Sequence, residues 1–198
     1  MTPPDDLGRA VLRIACRDFA GWRAAGVSAP IRLRINISPS QLFNSEFADY
    51  VTATVAASGL TLGDIGMEIT EGTALRDVVT TQTVLERLRK AGMSIAIDDF
   101  GTGFSSLFRL KHLHIDVVKI DQSFVRDIAE DTDDVRIVAN IIALADSFGR
   151  GVIAEGVDDE ATRITAQTMG AAFGIGDLYP AVTDPSVLAT RTVVPLPE

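Results

Sequence analysis

The residues best suited to chemistry in this sequence recur at intervals, each closing a short apolar run. Asn36 ends the run in RINIS, Glu68 stands in MEITE, Asp98 and Asp99 in IAIDDFGTG, Lys119 in VVKID and Glu155 in IAEGV. If those runs are parallel strands, their carboxyl ends form the rim where α/β folds carry function. Oxygen-bearing side chains and one lysine would then converge on one patch. Clustered carboxylates resist ionising together unless positive charge sits among them. A hard divalent cation, Mg²⁺ or Mn²⁺, meets that need, because it prefers carboxylate, amide oxygen and water.

The Asp98–Asp99 pair is the most informative. Neighbours on a regular strand point to opposite faces, so both can serve one site only where the strand breaks. Phe100-Gly101-Thr102-Gly103 follows at once and supplies a break. Carboxylates at such a bend can hold a pair of metals, the usual clamp for in-line attack on a phosphodiester. Lys119 beside them would act as a charge on the phosphate or help position the attacking water.

Each residue also has a plainer explanation. A glutamate at a strand end is commonly a loop contact or a cap, and Asp98 is able to cap a turn. Asp99-Phe100-Gly101 matches the kinase metal triplet, but no glycine-rich loop or catalytic-loop motif accompanies it. Gly101-Thr102-Gly103 lacks the rest of a dinucleotide fingerprint. His112 and His114 fall in a connecting stretch and read as solvated. The joint placement at successive strand ends is what favours the metal site.

The elements that must position these residues alternate regularly. Strands are expected at Ile31–Ser38, Ile65–Thr70, Ser94–Phe100, Val117–Asp121, Gly151–Val157 and Ala171–Tyr179. Helices are expected at Leu7–Ala25, Ser45–Ser58, Leu75–Ala91, Ser105–Leu113, Asp134–Gly149 and Asp158–Met169. The fifth helix is clearest, with Val135, Val138, Ile141, Ile142, Ala145 and Phe148 at helical spacing and Gly149 as a stop. Strands apolar on both faces belong to a parallel sheet covered by helices. An open doubly wound sheet and a (β/α)8 barrel both fit; periodicity alone favours the open form, since a barrel takes about 250 residues.

Composition sets the outer bounds. The chain has 198 residues, 46% apolar and 23% charged, with a formal net charge of −9. That is globular composition, and the acidity excludes a general nucleic-acid binder, which needs a basic stripe. Cys16 is the single cysteine and falls on an apolar helical face, so no internal disulfide exists and a reducing, cytoplasmic setting is expected. No apolar run approaches the ~18 residues of a membrane span.

The ordered series NIS, EITE, DDFGTGFSSL, KIDQSFV and AEGV resembles the EAL domain family of bacterial cyclic-di-GMP phosphodiesterases, from about Leu12 to Gly176. The resemblance implies a TIM-type (β/α) barrel, here incomplete with about six of its strands, over residues 1–191, followed by a tail at 192–198. It implies hydrolysis of cyclic-di-GMP to the linear dinucleotide with Mg²⁺ or Mn²⁺, and a homodimer. By position, Asn36, Glu68 and Asp98 resemble the family's metal ligands, with Asp99 bridging to a second ion. Lys119 and Glu155 resemble its catalytic lysine and late-strand acid. Glu71 resembles the glutamate that anchors the loop Phe100–Ser106.

Departures accompany the likeness. The family's first two strands, with the Glu-Ala-Leu motif and its metal-ligating glutamate, have no counterpart in these residues, so the chain reads either as a fragment of a longer protein or as a shortened form. The water-positioning glutamine aligns with Ile175, the following aromatic with Asp177, and Tyr179-Pro180-Ala181 stands where an arginine is expected. Impaired catalysis is therefore expected, the alternative being an inactive module that binds cyclic-di-GMP or a protein partner. Arg32 and Arg34 share a face with Asn36; two inward arginines are unusual in a closed barrel, and Arg34 is placed to pair with Glu68 or Asp99.

Overall fold

The computed structural model describes residues 3–26, 31–103, 111 and 113–179. Strands form where apolar residues fill both faces: β1 (Leu33–Asn36), β2 (Ile65–Thr70), β3 (Ser94–Phe100), β4 (Val117–Ile120), β5 (Gly151–Glu155) and β6 (Phe173–Ile175). Their order in the sheet is the order in the chain, β1 to β6, and every recorded pairing is parallel. A doubly wound sheet would reverse direction at a switch point. No reversal occurs, so the open form favoured by periodicity gives way to the singly wound order of a (β/α) barrel.

The chain divides into two compact units. The first draws its described residues from those up to Ile69 and from Thr73–Ile95. Its core includes Leu12, Cys16 and Phe19 of the helix Pro3–Ala24, Val51 of the helix Phe47–Ala57, and Ile65 and Met67 of β2. Burial raises the Cys16 thiol above its usual pKa, in keeping with a small core residue. β1 and β2 pair in register, Arg34 opposite Gly66 and Asn36 opposite Glu68. β1 stops earlier than expected because Ser38 caps a one-turn helix, Pro39–Leu42, in a reciprocal box with Gln41.

The second unit holds Thr70–Gly72 and the described residues from Ala96 onward. The helix Thr132–Ser147 buries Val138, Ile141, Ile142 and Ala145, and Asp131 accepts from the Asp133 and Asp134 amides at its start. These four belong to the stripe the spacing predicts, but the helix starts and ends two residues earlier than expected, so Phe148 is an exposed C-cap and Val135 is only half-buried. The expected helix Leu75–Ala91 is split by Asp77 into Glu71–Arg76 and Val78–Lys90. β6 is only three residues long, much shorter than expected. Most of the helix expected at 105–113, the loop residues 104–106, His112 and the tail 192–198 lie outside the described residues.

Candidate metal centre at the strand ends

The site in the second unit begins at an irregularity in β3. Ile97 pairs with Val118, but the next pair is Phe100 with Ile120, so β3 carries one residue more than its partner. The extra residue is taken up at Asp99, whose φ of 55° is left-handed. Aspartate tolerates that region better than most residues. The break therefore falls between the two acids rather than after Phe100, as the sequence led one to expect. Its effect is to bring the carboxylates of Asp98 and Asp99 to one place, where consecutive strand residues would diverge.

β4 and β5 complete the arrangement. Lys119, only 5% exposed, places its Nζ 2.8 Å from Asp98 Oδ1 and 2.7 Å from Glu155 Oε1. Gly156, at φ 78°, turns the chain directly after Glu155. A Cβ there would lie 2.8 Å from Gln122 Cβ, so the glycine also permits close packing. Asp98, Asp99 and Glu155 each present a carboxylate oxygen within 4.8 Å of the others. Burial raises the Asp99 pKa first, and the charges of Asp98 and Asp121 raise it further, against the opposing pull of Lys119.

Glu71 has a different task. It is 2% exposed, and its Oε2 accepts hydrogen bonds from the amides of Gly101 (3.3 Å) and Gly103 (3.1 Å). The carboxylate thus ties down the chain just after β3. Gly101, at φ 106° and with Phe124 Cε2 2.9 Å from where a Cβ would sit, permits the tight passage.

A cavity of about 320 Å³ opens beside the acids, bordered by Asp99, Asp121, Arg126, Glu155, Asp158 and Ile175 among others. That volume is at the small end of ligand sites. Asp121 is a member the sequence reading did not select. It accepts from the Ser123 amide at the start of the helix Gln122–Val125. The signal was present in VVKID, two residues after Lys119.

The remaining expected ligands lie on the first unit. Asn36 is exposed at the end of β1, in register with the buried Glu68. Arg34 Nε is 3.9 Å from Glu68 Oε1, one of the two partners expected for it. Arg32 is exposed, with Nε donating to the Gly63 carbonyl at 2.9 Å, and its Cδ, like Arg34 Cγ, lies against Gly66. His114 is exposed.

The donor set of Asp98, Asp99 and Glu155 fits a hard divalent cation: all its ligand atoms are oxygens, close together, with one lysine to offset several acids. Barrel-order β/α topology with acids at the strand ends defines the class. The family is given by a match to the EAL domain over residues 4–181, and the chain belongs to that family. The EAL domain of Mycobacterium smegmatis DcpA superposes with a TM-score of 0.87 at 43% identity, covering 93% of this chain and 82% of that one. The bifunctional diguanylate cyclase/cyclic di-GMP phosphodiesterase MucR of Pseudomonas aeruginosa is 38% identical over 78% of this chain and 22% of its own. A manganese/cyclic-di-GMP complex of Klebsiella pneumoniae BlrP1 is 30% identical with a TM-score of 0.75, over 87% of this chain and 44% of that one. The chain spans about a quarter of the length of the curated relatives it matches.

Proposed function

We propose that this chain is a cyclic-di-GMP phosphodiesterase domain whose hydrolytic step is weakened. The carrying observation is the Asp98–Lys119–Glu155 ion-pair chain with Asp99 brought beside it by the β3 bulge. Asp98 and Asp99 are the proposed ligands of Mg²⁺ or Mn²⁺ in the second unit, and Asn36 and Glu68 are the ligands that the family resemblance adds. A bound ion would supply charge neutralisation of the phosphodiester and a more acidic water. Lys119, pinned between two carboxylates, presents a fixed ammonium toward the phosphate. Glu155 holds that ammonium and is placed to accept a proton from the attacking water. Glu71 orders the chain after β3 so that Asp99 keeps its position.

Ile175 supports the weakening. It borders the cavity where the family's glutamine would hold water, and an isoleucine side chain neither donates nor accepts a hydrogen bond. A displaced nucleophile costs orders of magnitude in rate. The same observation supports a second reading, an inactive module that binds cyclic-di-GMP or a protein partner and signals without cleavage. Among the described residues no helix is long and apolar enough to cross a membrane.

Turnover of cyclic-di-GMP in Mn²⁺, followed as linear dinucleotide by chromatography, tests the proposal, with Asp99→Ala as the control for contaminating activity. Slow hydrolysis lost in Asp99→Ala is the expected result, with Ile175→Gln raising the rate about tenfold or more. No turnover above the control, together with thermal stabilisation by the dinucleotide, would establish the binding module instead.

A further inference from the structure

The cavity beside the strand-end acids carries charged groups that the proposed hydrolysis does not use, and its whole border belongs to the second unit. Arg126 follows the helix Gln122–Val125 as its C-cap, and its carbonyl accepts a hydrogen bond from the buried Thr162 hydroxyl at 3.4 Å. The guanidinium is steered from two sides. Its Nη2 donates to Gln122 Oε1 at 3.2 Å, and its Nε lies 3.6 Å from Asp158 Oδ2. Asp158 is itself fixed, because its Oδ1 accepts from the Asp177 amide at 2.9 Å. A separation of 3.6 Å is longer than a charge-assisted hydrogen bond, so Asp158 orients the guanidinium without saturating it. Arginine carries five N–H donors in a planar fork, and this side chain is 59% exposed. Donors therefore remain for a molecule entering the cavity.

The border decides what kind of molecule that is. A phosphate would meet Asp121, Asp158 and Asp177 as like charges. A guanine base is neutral. Its O6 and N7 accept from an arginine fork, and its amino group donates to a carboxylate. One arginine among several acids matches both edges of that base. Adenine presents an amino donor where guanine has O6, and so would oppose the guanidinium. The space, about 320 Å³, suits one base rather than a whole dinucleotide.

We propose that this cavity receives one guanine of the cyclic dinucleotide, and that Arg126 is its specificity-determining residue, donating to O6 and N7. The inference rests on the reading that the chain binds cyclic-di-GMP.

The test is a cycle of affinities for the full chain in Mn²⁺, read by displacement of fluorescent cyclic-di-GMP before appreciable turnover. Two competitors are compared, cyclic-di-GMP and its 7-deaza analogue, in which C–H replaces each N7. The unsubstituted protein is expected to bind the analogue about tenfold more weakly, since one acceptor of the arginine fork is gone. Arg126→Met is expected to bind cyclic-di-GMP about tenfold more weakly and to bind the analogue equally well, because N7 no longer has a partner. Three results overturn the proposal. One is an unsubstituted protein that holds both competitors alike, which needs no variant to fold. Another is an Arg126→Met affinity for cyclic-di-GMP that is unchanged. The third is an analogue penalty as large in Arg126→Met as in the unsubstituted protein, which would place Arg126 on a phosphate instead. Each of these, with cyclic-di-GMP still bound by the unsubstituted protein, removes the inference alone. No binding of cyclic-di-GMP by that protein removes the reading as well.

Discussion

Two groups of acids stand at strand ends in this molecule, the buried Glu68 and the partly exposed Asp98, Asp99 and Glu155, and their charge is met in different ways. At the end of β2, Glu68 lies 3.9 Å from Arg34. At the ends of β3 to β5, Lys119 is shared between Asp98 and Glu155 at 2.8 and 2.7 Å, while Asp99 and Asp121 add negative charge that Lys119 only partly offsets. Buried charge must be compensated, by a partner or by a bound ion. The first group achieves this within the chain. In the second, among the described residues, Lys119 and the bordering Arg126 face several acids, and an added cation is favoured there. The difference teaches that a carboxylate at a strand end is not by itself a metal ligand; the local sum of charges decides how open it is to one.

The largest effect should come from removing Lys119, which bridges Asp98 and Glu155 in the second group. Lys119→Met is expected to cost about 3 kcal/mol, because it leaves two half-shielded carboxylates facing each other without their partner. Urea unfolding measures the loss. Saturating Mn²⁺ is then expected to raise the melting temperature of Lys119→Met by more than it raises that of the unsubstituted protein, since the ion takes over the missing charge. An equal rise in both would break the contrast between the two groups, because it would mean that Lys119 and the ion do not serve the same acids.

Glu71 comes next. Glu71→Ala removes the acceptor of the Gly101 and Gly103 amides and should cost about 2 kcal/mol, the usual penalty for stranding buried partners. Hydrogen exchange at those two amides is the sharper readout, since it should accelerate there while the helix Thr132–Ser147 stays protected. Glu71→Gln keeps one acceptor oxygen and is expected to fall between the two. Acceleration spread evenly over the second unit would show that Glu71 supports the fold at large rather than the approach to Asp99.

What the sequence disclosed follows the strength of its patterns. β2 and β3 occupy the expected residues, Ile65–Thr70 and Ser94–Phe100, because apolar residues on both faces leave a strand little freedom of register. The stripe of the helix Thr132–Ser147 was legible for the same reason. The one-turn helices Pro39–Leu42 and Gln122–Val125 escaped notice because a single turn has no periodicity. Ser38-x-x-Gln41 did carry a capping signature that could have found the first. The acids of β3 were legible as residues but not as geometry. Pairing register, set by β4, is what places the extra residue at Asp99, and no local pattern encodes it. Arg34 was ambiguous between Glu68 and Asp99 for a related reason: alternation gives the face of a side chain, not its reach.

The smallest effect concerns acid stability, and it also differs between the units. In the first, Asp64 is held below its usual pKa by hydrogen bonds from the side chain and amide of Thr61, aided by Arg23. In the second, Asp159 is lowered by the amide and side chain of Thr162. A carboxyl whose folded pKa lies below its unfolded value contributes stability that is complete above the unfolded value, near pH 4, and is lost as pH falls through the folded one. Both groups should therefore weaken the protein as pH drops from about 5 toward 3. Asp64→Asn keeps an acceptor for Thr61 but cannot ionise, so its urea midpoint should fall less steeply over that range than that of the unsubstituted protein. The Asp159 contribution, with its partner Thr162 far along the chain from Asp64, should persist unchanged in the variant. Carboxyl carbon NMR titration of Asp159 in both proteins checks this directly, and a shifted Asp159 titration in Asp64→Asn would mean that the two caps are coupled rather than independent.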